Sequence, residues 1–287
     1  MSEPAIQVEG ISYSYDGQLA VDDVSFTVAP GETLGFLGPN GAGKSTTIKM
    51  LTGQLKPLSG TITILGMSMP AQATQIQARI GVAFEEKNLY GNMSAKENLI
   101  FFGRLFGIAN LDPDPLLRRV DLADRADDRV AEFSKGMKQR LMIARALINT
   151  PDVLFLDEPT DGLDPVSSQS IRQVIEQESL RGAAVLLTTH DMAEADRLSD
   201  RVAFIDEGHV LVTDAPENLK QIYGRRSVKI RARKDGEVVE TVIPLDDQDA
   251  DERIRRALAQ RDLLTIHTEE ATLEDIFIHF AGRRLVV

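Results

Sequence analysis

The chain has 287 residues, 43% of them apolar, enough for a full core and for two domains rather than one. It contains no cysteine, which excludes disulfides, thiolate metal sites and thiol nucleophiles. The formal net charge of −12 is the reverse of what a duplex-binding protein needs to neutralise phosphates, so nucleic acid is not expected as a partner.

In chain order, apolar or alternating runs predict strands at Ile6 to Tyr15, Val21 to Val28, Thr33 to Leu37 and Thr61 to Leu65, with turns at Asp16-Gly17 and Pro30-Gly31. From Ser94 to Leu147 the period becomes helical. Ser94 with Glu97 forms a capping box, followed at helical spacing by Leu99, Phe102, Leu105 and Phe106, and Pro113 and Pro115 punctuate this insert. Short buried-type strands follow at Val153 to Leu156, Ala184 to Leu187 and Val202 to Ile205, with helices between them, the signature of a mostly parallel sheet covered by helices.

Composition shifts near Gly224-Arg225-Arg226. Beyond it the pattern reads strand (227–233), turn, strand (238–243), helix (249–260), strand (263–267) and helix (273–280), the last opened by Thr272 with Asp275. The expected organisation is therefore an α/β domain over 1–224, with an antiparallel β subdomain and a helical insert at about 90–147, and a small accessory α/β domain over 225–287. No run approaches the ~20 apolar residues of a spanning helix. Met1-Ser2-Glu3-Pro4 has neither the basic nor the apolar part of a secretory signal. A cytoplasmic chain without direct membrane insertion is expected, reaching any membrane through a protein partner.

The most informative run is Gly38-Pro39-Asn40-Gly41-Ala42-Gly43-Lys44-Ser45-Thr46, a G-x-x-x-x-G-K-[ST] phosphate loop between an apolar strand and an amphipathic helix. Its glycines let several N–H groups point at one phosphate chain, and the helix opening there presents its positive end to an anion. Lys44 supplies charge for the outer phosphates, and the Ser45 hydroxyl suits a magnesium ion. A second apolar strand ends in adjacent carboxylates, Asp157 and Glu158. Strand side chains alternate, so Asp157 can face a metal while Glu158 faces another part of the pocket as a general base toward water. His190 ends a third strand in Leu-Leu-Thr-Thr-His-Asp, where it can hydrogen-bond a terminal phosphate. Ser134 and Gly136 stand just before another helix, a second terminus equipped for an anion. Two phosphate-ready termini with a single phosphate loop suggest that the second completes a site on another subunit.

With these motifs in this order over roughly residues 4 to 222, the chain resembles the ATP-binding subunits of ABC transporters. The resemblance implies a P-loop NTPase-type fold with ATP and Mg2+ as ligands. It makes Gly38 to Thr46 the Walker A loop and Val153 to Glu158 Walker B, with Glu158 as catalytic base. Ser134, Lys135 and Gly136 fall in the signature, Asp164 in the D-loop, and His190 at the switch position. Tyr15 falls where an aromatic stacks on adenine, with Tyr13 on the same strand face as the competing candidate. It also implies a second nucleotide-binding subunit, expected to be a second copy, with two ATP molecules sandwiched head to tail. Separate transmembrane permease subunits would sit above them, contacting Leu89, Tyr90, Phe101 and Phe102.

Two positions depart from the pattern. The signature, most often Leu-Ser-Gly-Gly-Gln, reads Phe133-Ser134-Lys135-Gly136-Met137, a form that resembles an exporter-rich branch. The Q-loop glutamine is replaced by Glu85, in Ile80-Gly81-Val82-Ala83-Phe84-Glu85-Glu86. A carboxylate binds magnesium more strongly than an amide but cannot donate when ionised. Glu85 is thus expected either to act as a metal-linked coupling residue with steeper magnesium dependence or to point to solvent. The expected activity is ATP hydrolysis that drives an exporter through dimer closure. The alternative is a soluble ABC ATPase acting on ribosomes or DNA.

Overall fold

The computed structural model describes residues 3–84, 88–224, 227–234, 237–259, 263–269 and 271–282. Two compact units divide the chain at 213/214. The larger contains β1 (Ile6–Tyr15), β2 (Gln18–Val28), β3 (Thr33–Leu37), α1 (Lys44–Leu51), β4 (Ser59–Ile64), β5 (Met67–Met69), α2 (Ala73–Gln77), β6 (Ile80–Ala83), α3 (Ala95–Leu105), α4 (Asp114–Arg119) and α5 (Lys135–Ala146). It continues with β7 (Val153–Asp157), α6 (Pro165–Leu180), β8 (Ala184–Thr189), α7 (Met192–Leu198) and β9 (Arg201–Asp206), and β10 (His209–Asp214) spans the division.

Its strands form two sheets, β2-β1-β4-β5 and β10-β9-β3-β8-β7-β6. In the second, β9, β3, β8, β7 and β6 run parallel, and every residue of β3, β7 and β8 is buried. Strands covered on both faces must be apolar throughout, which is why these three read as unbroken hydrophobic runs. Register then positions the chemistry. Leu37 pairs with Thr189 and Asp157 with Thr188, so three connections leave the sheet side by side at its carboxyl edge.

Packing follows the same division. Phe26, Phe36, Ile48, Leu51 and Phe155 belong to one core shared by the antiparallel sheet, α1 and the parallel sheet. Leu99, Leu117, Leu141, Ile143, Leu156 and Ile171 belong to a second, beneath the helical insert. The insert opens as expected, with the reciprocal Ser94–Glu97 capping box at the start of α3.

Several strand readings shift: β4 starts at Ser59 rather than Thr61, and β5 and β6 lie where no strand is predicted. β2 begins at Gln18 rather than Val21, because Asp16 (φ 48°) and Gly17 (φ 85°) make a two-residue turn that pairs Tyr15 with Gln18. β10 has only the short apolar run Val210-Leu211-Val212, for which no strand is predicted. It forms because Glu207 and Gly208, also at positive φ, fold it back on β9.

The smaller unit contains α8 (Pro216–Tyr223), β11 (Ser227–Lys234), β12 (Glu237–Pro244), α9 (Ala250–Leu258), β13 (Leu263–Glu269) and α10 (Leu273–Ala281). Its antiparallel sheet β12-β11-β13 packs Val228, Ile230 and Ile243 with Ala250, Ile254 and Ala257 of α9. The division between units falls before α8, not after residue 224. The physical reason is aromatic packing, for Tyr223 meets Phe280 of α10 edge-on with ring centroids 4.8 Å apart. Thr272 and Asp275 form the expected capping box on α10.

Candidate functional site

The loop between β3 and α1 is shaped by backbone crowding. A Cβ on Gly38 would lie 2.0 Å from the Ile205 carbonyl oxygen. Gly43, at φ 105°, would place one 2.5 Å from that of Ala20. Only glycine fits both positions. Gly43 also caps α1 without any side-chain hydrogen bond, so the first-turn N–H groups keep their capacity for an anion. Lys44 is buried; its Nζ donates to the carbonyls of Gly38 at 2.6 Å and Pro39 at 3.2 Å.

The two carboxylates diverge at the end of β7. Asp157 is buried, and its Oδ1 accepts from Ser45 Oγ at 3.1 Å and from Thr188 Oγ1 at 2.5 Å. Glu158 turns the other way, with its backbone in the left-handed region at φ 48° and its N–H held by Thr188 Oγ1 at 3.1 Å. Its Oε2 lies 3.0 Å from His190 Nδ1. Its Oε1 is buried and accepts no hydrogen bond, although Lys44 Nζ stands 3.3 Å away. That contact is attraction between charges without an aligned donor.

These groups open on a cleft of about 370 Å3 lined by Tyr15, Ala20, Pro39, Asn40, Gly41, Gly43, Lys44, Ser45, Thr46, Glu158, Asp161 and His190. Tyr15 is 45% exposed at its rim and meets Tyr13 edge-on at 4.9 Å, while Tyr13 leans on the core. Of the two candidate aromatics, Tyr15 is the one that reaches the cleft. Ala42, the remaining loop residue, is buried beneath it.

Other expected residues lie elsewhere. Ser134 caps α5, its Oγ accepting from Met137 N at 3.2 Å, and Gly136 packs so tightly on α6 that a Cβ would sit 2.7 Å from Ser167 Oγ. Neither lines this cleft, and Lys135 reaches its edge through a 3.1 Å ion pair with Asp161. Asp164 does not line it either: it caps α6, accepting from Val166 and Ser167 N–H groups. The Ser167 backbone bond leads in holding its carboxyl below the usual range. Glu85 lies outside the described residues. Two contributors escaped the sequence reading. Thr188 was marked only by a hydroxyl at the end of an apolar strand, and Asp161 only by its closeness to Glu158 in the chain.

A second cleft, of about 380 Å3, is lined by Ile80, Val82, Phe84, Asn88, Phe102, Phe106 and Arg145, among others. Arg145 stacks over Phe102 at 4.7 Å and donates to the Asn88 carbonyl at 2.7 Å; burial lowers its pKa. Of the four residues expected at a partner groove, Phe102 lines this cleft. Leu89 packs on the helical core, and Tyr90 and Phe101 meet edge-on at 4.9 Å.

A glycine-shaped loop, a buried lysine, two diverging carboxylates and a histidine at one sheet edge define a P-loop ATPase. Residues 21–161 match the family model described as ABC transporter. The chain is 44% identical over 283 residues to a fluoroquinolones export ATP-binding protein of Mycobacterium tuberculosis (strain CDC 1551 / Oshkosh), covering 98% of this chain and 94% of that protein. It is 40% identical over 306 residues to a Nod factor export ATP-binding protein I of Paraburkholderia xenovorans (strain LB400), covering 99% of each. Among solved structures, an ATP binding subunit of an ABC transporter matches with a TM-score of 0.70 at 32% identity, covering 76% of this chain and 92% of that one. A bacterial ABC transporter cassette solved as a dimer matches with a TM-score of 0.67 at 25% identity, covering 73% and 98%. The chain belongs to the ABC transporter family, as an ATP-binding and ATP-hydrolysing subunit. Among the described residues, no helix is long and apolar enough to cross a membrane.

Proposed function

We propose that this chain powers an export-type transporter from the cytoplasmic face of the membrane, through ATP-driven closure of a dimer of two copies beneath separate permease subunits. Export is the activity named in both relatives and fits the Ser-Lys-Gly-Met signature, and neither name favours ribosomes or DNA. The observation that carries the mechanism is Glu158 Oε1, a buried carboxylate oxygen at the cleft that accepts no hydrogen bond. Its lone pairs are available to take a proton from water attacking the terminal phosphate. His190 on the other oxygen fixes the carboxylate's direction.

The loop N–H groups and Lys44 hold the phosphates, and Tyr15 stacks on adenine. Phosphate and Glu158 compete for the Lys44 ammonium, so phosphate binding leaves Oε1 freer to act as a base. The Ser45 hydroxyl and Asp157 carboxylate, already in contact, form a hard oxygen set suited to Mg2+. Glu85 is a third candidate for that ion, which neutralises phosphate charge when bound. Ser134, Lys135, Gly136 and Asp164 serve the ATP held by the other copy. The second cleft receives the permease.

The test is Glu158→Gln, which preserves size and removes the base. ATP binding and an ATP-dependent dimer in size-exclusion chromatography should persist, while hydrolysis falls at least ~100-fold. Hydrolysis at the wild-type rate would remove Glu158 from the role.

A further inference from the structure

We infer that Lys135 and Asp161 are positioning residues for His190, linking the anion-ready end of α5 to the hydrolytic centre of the same subunit. This rests on the dimer reading above and adds a regulatory connection to it.

The observation is a row of neighbouring ionisable side chains with His190 between two carboxylates. Lys135 Nζ lies 3.1 Å from Asp161 Oδ2, and Asp161 Oδ1 lies 3.9 Å from His190 Nε2. His190 Nδ1 lies 3.0 Å from Glu158 Oε2, and Glu158 Oε1 lies 3.3 Å from Lys44 Nζ. The run starts at the first residue of α5 and ends at the first residue of α1, so it joins the two helix termini that suit anions.

Its links differ in strength. Side-chain exposure falls from 54% at Lys135 through 38% at Asp161 and 27% at His190 to 9% at Glu158. The inner contacts are shielded from water and firm. The outer pair is screened and easily exchanged. Gly162 leaves room for that pair, since a Cβ there would come 2.2 Å from Lys135 Nζ. The Asp161–His190 separation is too long for a hydrogen bond, so it is the joint with travel left.

A phosphate arriving at the N-terminus of α5 competes with Asp161 for the Lys135 ammonium. Asp161, released, closes on His190 Nε2 and fixes the imidazole between two carboxylates. His190 then holds Glu158 in the orientation for proton transfer. Nucleotide at this subunit's signature end, which belongs to the partner's site, thereby promotes hydrolysis in this subunit's own cleft. Such a link is a coupling between two sites and shows as positive cooperativity in ATP.

The experiment uses the full chain and measures three quantities: ATP-dependent dimer formation, binding of a fluorescent ATP analogue, and ATPase rate against ATP concentration. Wild type should give a sigmoidal rate curve. Asp161→Asn should give a hyperbolic one with kcat reduced roughly five-fold, whereas Lys135→Met, which leaves Asp161 permanently released, should give a hyperbolic one with kcat near that of wild type. The analogue measurement separates any loss of binding from these changes in curve shape. The double variant should be no worse than Asp161→Asn alone, and Lys135→Arg should restore the sigmoid. A wild type that forms no ATP-dependent dimer overturns the dimer reading and this inference with it. A dimer whose wild-type curve is hyperbolic, or whose sigmoid survives both single variants, overturns the inference alone.

Discussion

The starts of α1 and α5 pose the same electrostatic problem and solve it differently. Gly43 caps α1 without a side chain, inside a loop whose shape is dictated by the carbonyls of Ile205 and Ala20. Ser134 caps α5 with its own hydroxyl, leaving fewer donors for an anion, and its side chain does not reach the cleft. The first terminus is a rigid receptor, supplied by the fold with lysine, hydroxyl and carboxylates. In the proposed dimer the second is a surface to which a nucleotide is brought, so that one helix end holds substrate and the other recognises substrate already held.

Substitutions at each end should separate holding from recognising. Gly38→Ala strikes hardest, because its Cβ would overlap a backbone oxygen that cannot swing away. It should cost about 3 kcal/mol of stability and abolish nucleotide binding, measured by thermal melts with and without ATP. Ser134→Ala removes a helix cap worth about 1 kcal/mol and, in the proposed dimer, a contact to the other copy's ATP phosphates. Binding of ATP to the monomer should stay within two-fold of wild type, roughly the scatter of a neutral change, while ATP-induced dimerisation weakens by about ten-fold. Equal losses in both would erase the distinction between the two ends.

With Glu85 as the proposed magnesium ligand, Glu85→Gln substitutes a weaker one, so the magnesium concentration for half-maximal ATPase should rise a few-fold. Superimposable titrations would place Glu85 outside the metal's reach. The start of α6 supplies the smallest effect, since Asp164 caps it with a carboxylate. Its folded pKa is depressed, chiefly by the Ser167 N–H, so its stabilising contribution is present above the ordinary aspartate value and lost as pH falls below it. Asp164→Asn should therefore melt slightly below wild type at neutral pH, with the gap narrowing in acid. A constant gap would mean that capping geometry matters and ionisation does not.

Most of the site was legible because its parts lie at the ends of fully buried strands. β3, β7 and β8 announce themselves as apolar runs, and parallel pairing brings whatever follows them to one edge. Gly38, Glu158 and His190 thus converge without any knowledge of loops. Asp161 and Thr188 escaped notice because their roles depend on which side chains face each other across strands and turns, which chain spacing does not encode. Asp164 shares the motif but not the cleft, since a helix start pulls its carboxylate onto its own amides. The boundary near 224 followed a change in composition, while the contacts of Tyr223 carry α8 to the other side of it.

The backbone of Glu158 has an evolutionary consequence. A glutamate at φ 48° occupies a conformation that glycine or asparagine would adopt with less strain. With Glu158 as the proposed base, mutational drift at this position is therefore biased toward variants that fold more comfortably and hydrolyse poorly. Selection for transport must keep renewing a residue that selection for stability alone would discard.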